Sequence, residues 1–377
     1  MKIIVSGGGT AGHIYPALAV ADCLRTAGHD ILFVGSQGKM EMERVPMNGY
    51  PITGLPVVGI KRDMSFKSLC SNLTFPFRLW RSLTIASSII KREKPDVVVG
   101  FGGYASAPIV RAAQKRHIPT VIQEQNSFAG LTNRVLSRHA KKICTAYENM
   151  DRFFPADKIV ITGNPLRSNM DTLPTREQAI EALGLDSAKR TILVTGGSLG
   201  TRTLNDMVFS SMEHKSLPDG VQVIWQTGKY YITEYENKIQ NLIRDSDFSI
   251  VGYKVVPFIE RMDQAYAAAD VVICRAGAST VSELQLVGCP TIFVPSPVVA
   301  EDHQTMNARA LVGAEAALMV TDNDAVEQGL AQAIALIDNE KLRATMSRNM
   351  RAMARPEAAY DVSQIIIDTI RQSKDRD

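Results

Sequence analysis

Two glycine-rich turns sit half a chain apart, each between an apolar run and a helical pattern. Gly7-Gly8-Gly9-Thr10-Ala11-Gly12-His13 follows Ile3-Ile4-Val5, and Gly196-Gly197-Ser198-Leu199-Gly200 follows Ile192-Leu193-Val194. A glycine turn from strand into helix turns backbone N–H groups outward at the positive end of a helix dipole, which suits it to anionic ligands. Two such turns imply two nucleotide-fold halves serving one ligand set. With 377 residues the chain is also longer than single cores usually grow.

Bulk properties exclude several classes. The chain is 45% hydrophobic and 21% charged, as globular proteins are, and its net charge of +3 makes no general demand for nucleic acid. The five cysteines (Cys23, Cys70, Cys144, Cys274, Cys289) have no metal-ligand spacing and read as small apolar residues in a reducing compartment. Lys2 and a strand run directly into the first turn, unlike a secretory leader, and no run of 18 apolar residues is present to span a bilayer. Charge is nevertheless uneven. Lys61, Arg62, Lys67, Arg78, Arg81, Lys91 and Arg92 stand against only Asp63 and Glu93, a local net of +5. Met64, Phe66, Phe75, Phe77 and Trp80 are interleaved among them. Segment 61–93 therefore suits an anionic membrane surface, or else it is an amphipathic helix with a solvated basic face.

Short β-rich runs alternate with helical patterns throughout. Strands are expected at Lys2–Val5, Ile31–Val34, Asp96–Gly100, Thr120–Gln123, Lys142–Thr145 and Lys158–Ile161, then at Thr191–Thr195, Val221–Gln226, Phe248–Val251, Val271–Cys274, Thr291–Val294 and Ala317–Val320, with helices of 10 to 25 residues between them. Apolar strands of four or five residues separated by helices predict parallel sheets covered on both faces, an α/β fold. A boundary is expected near Gly163-Asn164-Pro165, giving domains of 1–164 and 165–355. A last helix, about 357–372, begins after Arg355-Pro356 and is placed to pack back on the first domain.

The loops that follow strands carry the chemistry. Gly7-x-Gly9-x-x-Gly12 formally matches a dinucleotide fingerprint, but Gly35-Ser36-Gln37-Gly38 after the second strand lacks the ribose-binding acid, which argues against nicotinamide. His13 closes the first turn. It suits a general base, or a histidine that only bonds a loop carbonyl. Gly102-Gly103-Tyr104 and Glu124-Gln125-Asn126 emerge at carboxyl ends of strands, where α/β sheets bind ligands. In the second half, Arg275-Ala276-Gly277-Ala278-Ser279-Thr280-Val281-Ser282-Glu283 puts a carboxylate one turn into a helix. Glu283 can accept from paired ribose hydroxyls or answer the helix dipole. Gln304 and His303 can bond sugar hydroxyls, and Arg167 is a fixed cation for phosphate. Asp245-Ser246-Asp247 and Asp322-Asn323-Asp324 resemble metal-binding pairs but read as solvated caps, leaving no metal site.

Taken in order, these motifs, with Gly163-Asn164-Pro165-Leu166-Arg167 between the halves, resemble the MurG family, bacterial GlcNAc transferases that convert lipid I to lipid II in peptidoglycan synthesis. The resemblance runs from residue 1 to about 355. It implies a GT-B fold, two Rossmann-like domains facing across a cleft, with no cofactor and no metal. It also implies a peripheral location at the cytoplasmic membrane face, where other cell-wall synthesis proteins are expected partners and nucleic acid is not. Donor residues carried over are Thr10, Ala11, Gly12, Asn126, Arg167, Ser198, Ile259, Ala278, Ser279, Thr280, Val281, Ser282, Glu283 and Gln304. The acceptor side would include Gly102, Gly103, Tyr104 and Glu124. Two positions depart from the family pattern: Ala11 replaces a loop glycine, which a negative φ would allow, and His303 stands where some members have glutamine.

The reaction so implied is an inverting transfer. The acceptor C4 hydroxyl attacks the anomeric carbon of UDP-α-GlcNAc with His13 as base, forming a β-1,4 link and releasing UDP. Other GT-B enzymes, such as a diacylglycerol glycosyltransferase or a UDP-GlcNAc 2-epimerase, and an idle nucleotide-sugar-binding scaffold are the rival readings. UDP release that depends on lipid I separates the transferase from each.

Overall fold

The structure, a computed structural model, describes residues 1–57, 75–166, 170, 172–197, 199–246, 248–299 and 302–375. It divides into two compact units, Met1–Arg167 with Arg355–Asp377, and Ser168–Ala354.

In the first unit the chain runs β1 (Lys2–Ser6), α1 (Ala11–Thr26), β2 (Asp30–Ser36), α2 (Glu41–Met47), β3 (Ile52–Leu55) and α3 (Phe75–Glu93). It continues through β4 (Val97–Gly100), α4 (Gly103–Gln114), β5 (Thr120–Glu124), α5 (Leu131–Ser137), β6 (Lys142–Thr145) and β7 (Ile159–Ile161). The seven strands pair in the order β3-β2-β1-β4-β5-β6-β7, every described pairing parallel. Side chains alternate between faces along a strand, so each central strand feeds two cores. Ile3 and Val5 of β1 join one core with Leu18, Leu24, Val97 and Val99. Ile4 joins the other with Val98, Ile109, Ile122 and Ile143. Burial on both faces is why these strands read as continuous apolar runs.

The second unit repeats the scheme with α6 (Arg176–Leu183), β8 (Arg190–Thr195), α7 (Arg202–Glu213), β9 (Val221–Gln226), α8 (Ile232–Asp245) and β10 (Tyr253–Val256). Then follow α9 (Met262–Ala268), β11 (Val271–Cys274), α10 (Ala278–Val287), β12 (Thr291–Phe293), α11 (His303–Gly313), β13 (Leu318–Met319), α12 (Ala325–Asp338) and α13 (Glu340–Ala352). Its six strands, again parallel, are ordered β10-β9-β8-β11-β12-β13. Ile192 and Val194 face one core, Leu193 the other. The chain ends in α14 (Ala358–Lys374), whose Val362, Ile366 and Ile370 recur every four residues and enter the first unit's core beside Leu18 and Leu24. Each such side chain, fully buried, contributes about 1.5–3 kcal/mol.

Several local expectations need correction. The strand expected at Phe248–Val251 forms instead at Tyr253–Val256, in register with Val223–Gln226. Ile250 and Val251 are 39% and 72% exposed, and Gly252 turns the chain at φ +94° before pairing begins. Strand β3 went unread because it is a half-buried edge with Thr53 and Gly54 in its middle. Helices α2, α5 and α9 have seven residues each, shorter than the expected range. Ala11 is the first residue of α1. Cys144, Cys274 and Cys289 are buried thiols; burial pushes Cys144 and Cys289 up to about 12, too high to ionise at neutral pH. Cys70 lies outside the described residues.

Candidate active site

In an open parallel sheet, loops leaving adjacent strands diverge where the strand order reverses, and the carboxyl edge there opens into a crevice. In the first unit this point lies between β1 and β4, in the second between β8 and β11. Both glycine turns leave from these positions.

The first turn is held from inside by a side chain that sequence reading missed. Glu41, at the start of α2, is fully buried. Its carboxylate accepts the Gly9 N–H at 3.0 Å and the Ser36 N–H at 2.9 Å. No acid ends β2 as a dinucleotide site would require; five residues later one appears and bonds the turn itself. Thr10 is the N-cap of α1, yet its hydroxyl meets His13 Nδ1 at 3.0 Å rather than a helical N–H. Across the switch point, Gly102 (φ +89°) lies so close that a Cβ there would sit 3.2 Å from His13 Nε2. A Cβ on Gly103 (φ +76°) would overlap the Gly8 carbonyl oxygen. The two turns can touch only because both positions are glycine. Tyr104, beside them, is 46% exposed.

Glu124, expected on the acceptor side, is bonded by its own loop. It is 2% exposed, and its two oxygens accept from Asn126 N, Asn126 Nδ2, Gly130 N and Asn133 Nδ2 at 2.9–3.3 Å. Burial pushes its carboxyl above the usual range even against the pull of these donors. Its hydrogen bonds shape the loop that carries Asn126. Behind it, Gln125 Nε2 donates to the Phe101 carbonyl at 2.8 Å, and Asn164 Nδ2 donates to the Gln125 carbonyl at 3.0 Å. The loops after β4, β5 and β7 are thereby fixed to one another.

In the second unit the glycine turn is held by neutral groups. Thr195 Oγ1 accepts from Gly197 N at 3.3 Å and donates to Gln226 Oε1 at 2.5 Å, while Gln226 Nε2 donates to the Gly197 carbonyl at 3.0 Å. Gly200 (φ +79°) and Gly228 (φ +88°) press the turn against the loop after β9, and a Cβ at either would overlap backbone. Across this switch point, Gly277 caps α10, whose first residues are Ala278, Ser279 and Thr280. No side chain caps this N-terminus, and the side chains of its first turn are small. Glu283, one turn in, accepts from the Tyr266 hydroxyl at 2.9 Å, which fixes the orientation of one carboxylate oxygen. Burial, and next the charge of Glu283, push the Tyr266 phenol well above its usual range. Gln304 Oε1 accepts from Ser296 N at 2.9 Å and so ties α11 to the loop after β12. Ile259, 8% exposed, sits in the loop after β10 and packs into the core beneath α10.

Asp322 is no solvated cap. It forms an ion pair with the largely buried Arg275 at 2.5 Å and accepts from Thr203 Oγ1 at 3.1 Å. Arg275 also donates to the Val294 and Pro295 carbonyls at 2.8 and 3.1 Å. This group binds the loops after β11, β12 and β13 to the first turn of α7. Asp324 stands at the N-cap position of α12, but its carboxylate accepts from the Thr321 hydroxyl rather than from a helix N–H. No cluster of three or more His, Cys, Asp or Glu side chains among the described residues could hold a metal ion.

Thr10, His13, Gly102, Gly103 and the Glu124–Asn126 loop thus share the carboxyl edge of the first sheet, and Ala278 to Glu283 and Gln304 share that of the second. Arg167 and Ser198, expected to meet phosphate, lie outside the described residues. Glu41, Gln226 and Tyr266 were not anticipated, and Asp322 was read only as a cap. Each acts through a contact between residues far apart in sequence, a signal that no local motif carries.

Comparison with known proteins agrees across the whole chain. The glycosyltransferase family 28 N-terminal domain matches residues 3–145, and the C-terminal domain of the same family matches residues 191–362. A Parabacteroides distasonis protein named UDP-N-acetylglucosamine–N-acetylmuramyl-(pentapeptide) pyrophosphoryl-undecaprenol N-acetylglucosamine transferase is 46% identical over 377 residues, covering 98% of each chain. A protein of the same name from Christiangramia forsetii is 46% identical over 367 residues, covering 96% of each. The crystal structure of MurG from Acinetobacter baumannii matches with a TM-score of 0.75 at 30% identity, covering 97% of this chain and 99% of that one. With both domain models matched in order and relatives alike from end to end, the chain belongs to glycosyltransferase family 28.

Proposed function

We propose that this protein transfers GlcNAc from UDP-GlcNAc to the C4 hydroxyl of MurNAc in lipid I, forming the β-1,4 link of lipid II. The observation that carries this is the 46% identity, over 98% of both chains, to the Parabacteroides distasonis transferase of that name. The site chemistry is compatible with it. In the first unit, donation from His13 Nδ1 to Thr10 Oγ1 would leave the other ring nitrogen, on the Gly102 side, as acceptor for the attacking hydroxyl's proton. In the second unit, the N-terminus of α10, with its positive dipole end and small side chains, would meet the diphosphate whose charge grows as the glycosidic bond breaks. Glu283, oriented by Tyr266, is suited to the ribose hydroxyls. Arg167 and Ser198 belong to the same proposal on sequence grounds. The acceptor role falls to the first unit and most of the donor role to the second, with Thr10, Ala11, Gly12 and Asn126 as the donor contacts of the first.

A membrane-facing role for the first unit is part of this reading. Within α3, Phe77 and Trp80 are each 63% exposed and flanked by Arg78 and Arg81, a pattern suited to anionic headgroups. Residues 61–74 of the basic segment lie outside the described residues. No helix among the described residues is long and apolar enough to cross a membrane. Serine at Arg78 and Arg81 should weaken cosedimentation with phosphatidylglycerol vesicles; undiminished binding rejects this surface.

The transferase itself is tested by UDP release with UDP-GlcNAc and a short-chain lipid I analogue. Release should require the analogue and yield one disaccharide product. Release without acceptor, or with diacylglycerol in its place, refutes the assignment.

A further inference from the structure

We infer that Glu41 is the positioning residue of the first glycine turn, its ionised carboxylate setting the place of Thr10 and His13 from behind. Three observations converge on it. The side chain has no solvent exposure, and both its oxygens are engaged by backbone donors, Gly9 N at 3.0 Å and Ser36 N at 2.9 Å. Those donors belong to different strand exits, so the carboxylate bridges the loops after β1 and β2. The space it fills is made for it at two distant points. A Cβ on Gly8 would overlap the carboxylate, and one on Gly35 would come within 2.6 Å of Glu41 Cγ. Glycine at 8 and at 35 therefore has a purpose besides turning the chain.

Both groups facing the carboxyl are N–H donors, one at each oxygen, the arrangement that a carboxylate accepts most strongly. The N–H of Gly9, which a phosphate-holding turn would direct at its ligand, is committed to Glu41. One residue further along, Thr10 begins α1 and holds the imidazole of His13. A carboxylate that fixes Gly9 thus fixes the start of the helix that carries His13.

This inference rests on the transferase reading only for its kinetic consequence, and the experiment separates the two. In Glu41→Gln the amide nitrogen would face one of the two N–H donors, with volume unchanged. Amide hydrogen exchange at Gly9 and Ser36 should speed up at least tenfold in that variant, whatever the protein catalyses. With the lipid I analogue, kcat should fall at least tenfold while the Kd for UDP stays within threefold, because the diphosphate and ribose contacts proposed above, at the start of α10 and at Glu283, lie in the other unit. Glu41→Asp keeps the charge and should recover part of kcat. If Glu41→Gln does not fold, Gly8→Ala, which crowds the same carboxylate, should give the same exchange and kinetic changes. Unchanged exchange at Gly9 overturns the inference. So does unchanged kcat alongside faster exchange, or loss of kcat that Glu41→Asp does not relieve. An inactive wild type with slow exchange at Gly9 and Ser36 would count against the transferase reading alone.

Discussion

The two glycine turns occupy equivalent positions in equivalent sheets, yet they are held by opposite means. The first is braced by the buried charge of Glu41 and leads to an imidazole. The second is braced by the neutral pair Thr195 and Gln226 and faces a helix that opens with Ala278, Ser279 and Thr280. A carboxylate bonded to turn N–H groups offsets part of the positive potential that a glycine turn offers an anion. A hydroxyl and an amide leave that potential in place. Topology fixes where a site can lie, and the residue behind the turn biases what kind of group it favours, in keeping with the proton transfer proposed for one unit and the diphosphate proposed for the other.

The contrast can be broken most severely at His13. Replacing it with alanine should lower kcat by about 10²–10⁴ while the KM for UDP-GlcNAc changes little. Near-normal turnover would end the assignment of chemistry to the first turn. In the second unit, Glu283→Gln should raise the Kd for UDP, measured by calorimetry, by about tenfold to a hundredfold, the range for hydrogen bonds to a charged group. Equal weakening by His13→Ala would erase the distinction between the units. A smaller effect is expected at the contact between turns. Gly103→Ala forces a Cβ onto the Gly8 carbonyl at a positive φ and should reduce unfolding free energy by about 1–3 kcal/mol in urea titration. The least effect belongs to Gly38→Ala, where φ is +68° but no atom lies within 4 Å of the new methyl group. About 1–2 kcal/mol of backbone strain is the whole cost there. If the two alanine variants lose the same stability, the closeness of the first-site turns contributes nothing beyond φ.

What the sequence made legible follows the range of each interaction. The apolar runs at Ile3–Val5 and Ile192–Val194 pointed to central strands because burial on both faces leaves a continuous signal. The glycine turns were legible because a strand, a turn and a helix start lie within about ten residues of one another. Edges were harder to read. Tyr253–Val256 pairs on one side only, and the neighbouring Phe248–Val251 is as apolar but exposed beyond Phe248, so composition favoured the wrong segment. Glu124 was recognised as belonging to the site, but not that its oxygens are taken up by its own loop. Glu41 was passed over entirely, since its partners at Gly9 and Ser36 become neighbours only when β1 and β2 pair. Asp322 likewise resembled a turn cap until β11 brought Arg275 beside it.

The return of α14 to the first unit has a consequence for the covalent plan of the molecule. The chain leaves that unit near Arg167 and re-enters it near Arg355, so the second unit is an insertion anchored at both ends. A single proteolytic cut at either crossing leaves it tethered by the other. After a cut near Arg355, the freed terminal peptide would remain docked through Val362, Ile366 and Ile370. Removing that peptide would expose the core behind β1, placing the integrity of the His13 turn under the control of residues 350 positions away.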